Sequence, residues 1–361
     1  MRIVLVGLGH AHLHVAAQAE RFRAAGHVLT VIDPDDFWYS SIGAGLLGGR
    51  YERADDVIET APFAARHGVA HVAARAAGLD RDRRVVLTDG ADIPYDLVSF
   101  NTGSRVEPPF PVSGGNVWTA KPIRSLLTLR ERLVASFERG ERVRFVTVGG
   151  NYSGCELTCN VAALARAHGG GLDATLLTSG DALLAGEPGG AQRAMRRRLE
   201  GYGVTVRLRE QVERIDRESV VASEPVPFDH ALVATGLSAA PPVCDLGLAA
   251  GARGLHVSPC LHAPADDRVF AVGDCARILG HDLPKVGVFG VRAAPVLARN
   301  LLARAAGRRL ERYRPQRIWF AAQNLGDGTG LATWGPLWWR GRSALALKDW
   351  NDRRFMDRYR S

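Results

Sequence analysis

Residues 2–9 read RIVLVGLG, a short apolar strand that ends in Gly7 and Gly9. A strand that stops in Gly-x-Gly and turns into a helix is the entry turn of a dinucleotide-binding βαβ unit. The first glycine permits the tight turn, the second lets a diphosphate approach the backbone, and the helix end faces its charge. The segment that follows predicts a helix over residues 10–25, with His10 at its start. Residues 28–32 predict the next strand. Asp33 stands at its end, where an acid accepts hydrogen bonds from ribose hydroxyls. The third fingerprint position is His12 in place of glycine, which is expected to loosen the contact between helix and strand.

The same sentence is written again at residues 142–154, RVRFVTVGGNYSG. Gly149 and Gly154 hold the outer positions, but Asn151 replaces the middle glycine. A helix over residues 154–168 and a strand over residues 174–177 are predicted next, and the strand ends in Thr178-Ser179. Neither an acid for a ribose nor an arginine for a 2′-phosphate is present there. This second turn therefore argues for the fold and against tight NAD(P)H binding. Each unit is followed by an apolar strand ending in Thr-Gly, Thr102-Gly103 in one and Thr235-Gly236 in the other. Two related domains, the second inserted into the first, account for the repetition. A late strand, VFAV, ends in Gly273-Asp274. Together these features point to a flavoprotein holding two dinucleotides. The expected fold is α/β, with a first Rossmann-like domain from residues 1–115 and 250–310. A second fills residues 116–249, and a cap of strands and a helix covers residues 311–361.

Composition narrows the alternatives. The chain has 361 residues, 46% apolar and 23% charged, which suits an ordinary globular core. No stretch approaches the ~20 apolar residues that span a bilayer. The first strand is cut at once by Gly-x-Gly, unlike a secretory signal, so a cytoplasmic location is expected. The net charge of +8 suits either a solvated surface or attraction to anionic cofactors or lipid. No helix-turn-helix or zinc-finger pattern accompanies it, so nucleic acid is not expected as a partner. The five cysteines include no Cys-x-x-Cys and fit a reducing compartment.

These residues resemble the pyridine nucleotide–disulfide oxidoreductase superfamily over nearly the whole chain. Within it they are most similar to the type II NADH dehydrogenase-like flavoproteins, in particular the branch fused to or encoded with selenophosphate synthetase. The resemblance rests on GLGHAHLH at 7–14, Tyr39-Ser40, Tyr95-Asp96-Leu97, Lys121-Pro122-Ile123, PKVGVF at 284–289 and KDWNDRRFM at 348–356. It implies a bound FAD. Gly7, Gly9 and Asp33 would hold its diphosphate and adenosine ribose, and Ala76 would meet the adenine through its backbone. Thr102 and Gly103 would lie near the cofactor, and Gly273-Asp274 would bind its ribityl or diphosphate part. Lys285, Val286 and Gly287 would open a helix aimed at the flavin pyrimidine, stabilising negative charge on the reduced ring. Gly149, Asn151, Gly154, Thr178 and Gly236 would line the nicotinamide nucleotide site. Glu156 matches an acid near the nicotinamide–flavin junction. It would orient substrate or move a proton, or else simply complement a helix end. Lys121 and Lys285 would be polar groups near the reaction.

Other clusters carry less. His10, His12 and His14 lack a nearby carboxylate or thiolate, so no metal is expected. Cys155 and Cys159 share a helix face, and the helix end would lower the pKa of Cys155, but their spacing is not that of a redox pair. Five of the seven tryptophans lie beyond residue 318. Near the terminus Phe355, Met356 and Tyr359 oppose Arg353, Arg354, Arg358 and Arg360 on a predicted helix, with Asp352 interrupting the apolar side. That segment would touch a membrane surface, pack on the first domain, or meet a second subunit. The function expected is an FAD-dependent oxidoreductase that passes electrons from NAD(P)H to a quinone or another small acceptor. The alternatives are a flavoenzyme acting directly on a small substrate, as in sulfide:quinone chemistry, and a non-catalytic flavin-binding subunit.

Overall fold

Strand Arg2–Val6 lies inside a six-stranded sheet, flanked in parallel by Val28–Ile32 and Leu97–Phe100. Ala70–Val72 extends the sheet on one side. Asp266–Ala271 extends it on the other, followed by the antiparallel edge strand His262–Ala263. The structure is a computed structural model and describes residues 1–360. The central strands read as continuous apolar runs because both sheet faces are covered. Helices His10–Ala16 and Gly287–Ala305 lie against each other, and Leu5, Leu13, Val98, Phe270, Leu297 and Leu301 share one core. Burying a leucine such as Leu297 contributes about 2 kcal/mol.

The helix expected over residues 10–25 is two helices, His10–Ala16 and Ala19–Ala24. The break occurs where Gln18 N bonds Val15 O at 3.0 Å and the Gln18 side chain bonds the His14 carbonyl, closing the first helix with a tighter turn.

A second, five-stranded sheet is parallel throughout. Its order is Val117–Thr119, His230–Val233, Arg142–Val148, Gly171–Thr178 and Thr205–Leu208. Helix Tyr152–Ala167 leaves its glycine turn two residues earlier than expected, because Asn151 is its N-cap. The two sheets match in the backbone bonds that anchor their glycine turns. Gly7 N bonds Ile32 O and Gly149 N bonds Leu177 O; Asn101 N bonds Val6 O and Ala234 N bonds Val148 O. Antiparallel strands Ser104–Val106 and Leu237–Ala239 tie the two units together.

The last part is a three-stranded antiparallel sheet, Phe320–Asn324, Gly330–Trp334 and Leu337–Gly341, followed by helix Arg342–Arg360. Phe355, Met356 and Tyr359 are buried in the first unit's core. That apolar side packs on protein, the second of the three expected placements. Asp352, expected to interrupt the side, is buried with it and paired to Lys348 at 2.7 Å.

Candidate functional site

Parallel sheets bind ligands beyond the carboxyl ends of their strands, and both glycine turns stand at such an edge. At the first turn Gly7 has φ +79°, a conformation that costs glycine no side-chain clash. Asn101, absent from the sequence expectations, organises this turn. Its Oδ1 accepts from Ala11 N (2.9 Å) and His12 N (3.3 Å), and its Nδ2 donates to Val272 O (2.8 Å). A Cβ on Gly9 would lie 2.5 Å from Asn101 Oδ1. Gly9 is thus required by the neighbouring strand as well as by any ligand. The signal was the Asn in Asn101-Thr102-Gly103, a polar amide at the end of a mainly apolar strand.

His12 does not loosen the helix. Its Nδ1 donates to Gly7 O (2.5 Å) and its Nε2 accepts from the Ser99 hydroxyl (2.8 Å). Burial lowers its pKa to about 4, so the bridging neutral ring persists at pH 7. Asp33 accepts from Leu8 N (2.6 Å) and Asp35 N (3.0 Å) at the rim of the turn. Burial raises its pKa and these two amides oppose the rise.

Several expected residues converge beside this turn. Lys121 Nζ donates to Asp274 (2.9 Å) and to Ser104 Oγ (2.7 Å), and Ser104 donates to Asp274 (2.6 Å). Burial opposes the Asp274 carboxylate. Lys121, Ser104 and Lys285 outweigh that burial and hold its pKa below the usual range. Lys285 donates to the Asp274 carbonyl and to Arg253 O (3.1 Å), and burial lowers its own pKa. Val286 caps helix Gly287–Ala305, and a Cβ on Gly287 would lie 3.6 Å from His10 Nε2. The His10 ring is lowered to about 4 by burial and sits among Phe37, Tyr39 and Phe355. Gly103 and Gly273 take positive φ on either side, and Thr102 Oγ1 bonds Ala240 O (3.3 Å). Ala76 opens a separate small sheet whose inner side packs on the same core.

The second turn opens on a cavity of about 420 Å³, lined among others by Gly149, Asn151, Thr178, Glu210 and Thr235. That volume lies within the range of small-molecule sites. Asn151 does not block it. Its Oδ1 accepts from Gly154 N (3.0 Å) and its Nδ2 donates to Ala234 O (2.6 Å). Ala234 is the counterpart of Asn101. In the first unit an asparagine reaches from strand to turn, and the turn residue must be glycine. In the second the strand residue is alanine, and the asparagine reaches back from the turn. A Cβ on Gly154 would run into the Gly149 carbonyl, so this glycine serves close helix–strand packing. Gly236 has φ +74° and closes against the Glu107 carbonyl.

Glu156 joins a different cluster from Lys121 and Lys285. Its Oε1 accepts from Asn324 N (2.7 Å). Burial raises its pKa to about 7, with Lys348 opposing. Lys348 donates to Asp352 (2.7 Å) and to the Ser41 carbonyl (2.6 Å), and Asp352 accepts from Tyr39 OH (3.1 Å) and Ser41 Oγ (2.8 Å). Lys348 and Asp352 carried no functional expectation; their i, i+4 spacing inside a conspicuous motif was the available signal. Cys155 and Cys159 are both buried, and burial raises their pKa values, overturning the expectation that the helix end lowers that of Cys155.

A profile described as pyridine nucleotide-disulphide oxidoreductase matches residues 1–298. The chain belongs to this family. Among curated relatives, the biphenyl dioxygenase system ferredoxin–NAD(+) reductase component of Paraburkholderia xenovorans is 27% identical over 285 residues. The match covers 76% of this chain and 66% of that protein. Among solved structures, the sulfide:quinone oxidoreductase of Aquifex aeolicus superposes with a TM-score of 0.86 at 17% identity, covering 99% of this chain and 91% of that one. NDH2 from Plasmodium falciparum in complex with NADH gives 0.85 at 12% identity, covering 99% and 97%. These two likenesses show a common fold.

The pyridine nucleotide-disulphide oxidoreductase frame permits a test of whether the first turn fits FAD. The donor set is right for a diphosphate and an electron-rich ring: a glycine turn, two lysines and the N-terminus of the 19-residue helix Gly287–Ala305. Gly287 opens its helix beside His10 without a side chain, and Asp33 follows the second strand with its carboxylate accepting from Leu8 N in the turn. The residues fit.

Proposed function

We propose that this family member is an FAD-dependent oxidoreductase that takes electrons from a reduced nicotinamide nucleotide and passes them to a quinone or another small acceptor. One observation carries the reading: the second turn keeps an open cavity of about 420 Å³ at the sheet edge that corresponds to the FAD turn. Bound FAD supplies hydride acceptance and onward electron release. Gly7, Gly9 and Asp33 would hold its diphosphate and adenosine ribose. Lys121, Asp274 and Lys285 would exchange part of their mutual bonding for the ribityl chain and ring, with Lys285 and the helix start at Gly287 facing the pyrimidine. Gly149, Gly150 and the amides at the start of helix Tyr152–Ala167 would seat the nicotinamide nucleotide. Glu156, poised near neutrality, would hold or release a proton for the reduced acceptor, with Lys348 stabilising its charged form.

The test is anaerobic mixing of the holoenzyme with NADH or NADPH, followed at the flavin absorbance. Bleaching by at least one nucleotide is expected; none at millimolar concentrations would refute the reading and favour a flavoenzyme reduced directly by its own substrate.

No helix among the described residues is long and apolar enough to cross a membrane. We place peripheral contact at the hairpin tip, where Trp334, Leu337 and the neighbouring Ile318 are 56%, 64% and 52% exposed. Tryptophan and leucine with basic flanks suit a lipid interface. Co-sedimentation with anionic vesicles that is lost in Trp334→Ser/Leu337→Ser is expected; unchanged binding would refute it.

A further inference from the structure

The strand Gly171–Thr178 ends in Thr178-Ser179, without the acid that holds a nucleotide ribose in the first unit. The cavity beyond it has an acid all the same. Glu210 lines it, next to Thr178, Ser179 and Gly180, and Glu210 N bonds the Thr178 carbonyl at 2.9 Å. This residue arrives from the adjacent strand Thr205–Leu208, so no spacing rule applied to the glycine turn would find it. It is the one charged side chain among the residues that line the cavity; no lysine, arginine or histidine is among them.

The carboxylate is held in place. Oε1 accepts from Arg207 Nε (3.0 Å), Arg207 Nη2 (2.6 Å) and Ser223 Oγ (2.9 Å), and Oε2 accepts from Ser223 N (3.2 Å) and Ser223 Oγ (2.8 Å). The Ser223 hydroxyl has one proton and serves one of these oxygens at a time; when it turns to Oε1, Oε2 accepts from Ser223 N alone and keeps one of its two acceptor positions. Arg207, the cation bound to this carboxylate, donates to Glu210 and Ser223.

We propose that Glu210 is the ribose-binding acid of the second site, supplied from the neighbouring strand, and that it selects a nucleotide with a free 2′-hydroxyl against one with a 2′-phosphate. This rests on the nicotinamide reading above. A ribose hydroxyl donates to the free Oε2 position. A 2′-phosphate would bring about two negative charges against a carboxylate, with no cation on the cavity wall to receive them.

The experiment is calorimetric titration of the FAD-loaded protein with NAD+ and NADP+ at one ionic strength. Wild type is expected to bind NAD+ at least about tenfold more tightly than NADP+, the worth of one charge-assisted hydrogen bond. Glu210→Ala removes the acceptor and releases Arg207. NAD+ is expected to weaken about tenfold and NADP+ to tighten, so that the preference vanishes or inverts. Adding Arg207→Ala to that variant should abolish the NADP+ gain while the NAD+ loss remains. Glu210→Gln, which keeps an acceptor at the same place, should lose less NAD+ affinity than Glu210→Ala and serves if the alanine variant does not fold. Equal binding of both nucleotides by wild type, or an unchanged preference in folded Glu210→Ala or Glu210→Gln, would overturn the assignment and leave the nicotinamide reading standing. Binding of neither nucleotide by wild type would overturn both.

Discussion

Asp56 is wholly buried, and no side chain among the described residues hydrogen-bonds its carboxylate oxygens. It lies beneath the end of the terminal helix. Arg360, Asp352 and Lys348 act on it through space, and Arg360 itself bonds the nearby Val57 carbonyl. Burial raises its pKa from 3.8 to about 7, with the Tyr39 backbone amide, Arg360 and Lys348 only partly opposing. In the unfolded chain the group reverts to the ordinary value. Between pH 3.8 and 7 the folded protein therefore binds the extra proton, and stability falls as pH rises through that window. The full difference is worth about 4 kcal/mol at pH 8 and about 2 kcal/mol at pH 5.5. Asp56→Asn removes the charge and mimics the protonated form, so it should stabilise by those amounts at those pH values and be neutral below pH 4. Buried histidines such as His12 titrate in the opposite sense, but they are common to both proteins and cancel in the difference. Urea unfolding of wild type and variant, read by tryptophan fluorescence at fixed excess FAD, measures it. A stability difference that does not change between pH 5 and 8, or a variant less stable than wild type at pH 8, would refute the reasoning.

Other substitutions test the remaining structure. Lys348→Met strands the buried Asp352 and should cost about 3–5 kcal/mol, much of it recovered in Lys348→Met/Asp352→Leu; urea titration compares them. Gly9→Ala sets a Cβ against Asn101 and should weaken FAD retention on gel filtration more than it lowers the melting temperature, whereas His12→Ala, which breaks two buried bonds, should lower stability by about 2–4 kcal/mol. Glu156→Gln should leave flavin reduction by NADH nearly intact. It should flatten the dependence of acceptor turnover near pH 7, where the wild-type carboxyl titrates.

The two parallel units were legible because their signals are local. A glycine turn, the strand before it and the helix after it lie within 30 residues of each other. Strand Leu97–Phe100 and its partner His230–Val233 were legible as repeats of one pattern. What escaped depended on contacts between distant segments. His12 reads as a defect in the fingerprint until Ser99, 87 residues away, supplies its second bond. Asp352 reads as a flaw in an amphipathic helix until Lys348, Tyr39 and Ser41 surround it. The direction of the Cys155 shift was misjudged because helix polarity is visible in sequence and burial is not.

Asn151 shows most clearly what the sequence withheld. Counted along the chain, it is a lost glycine and a reason to doubt the second site. In three dimensions its amide does for its helix what the Asn101 amide does in the first unit, from the turn and not from the strand. Both cap the first turn of a helix through Oδ1, and both tie that turn to a strand carbonyl through Nδ2. Each turn contains one such amide and has space for only one, as the clash between a Gly9 Cβ and Asn101 makes plain. The two turns are therefore alternative solutions to one packing problem, and packing alone accounts for an asparagine at 151 in place of glycine. On the assignment proposed above, the choice between nucleotides is made farther out along the sheet edge, where Glu210 N bonds the Thr178 carbonyl.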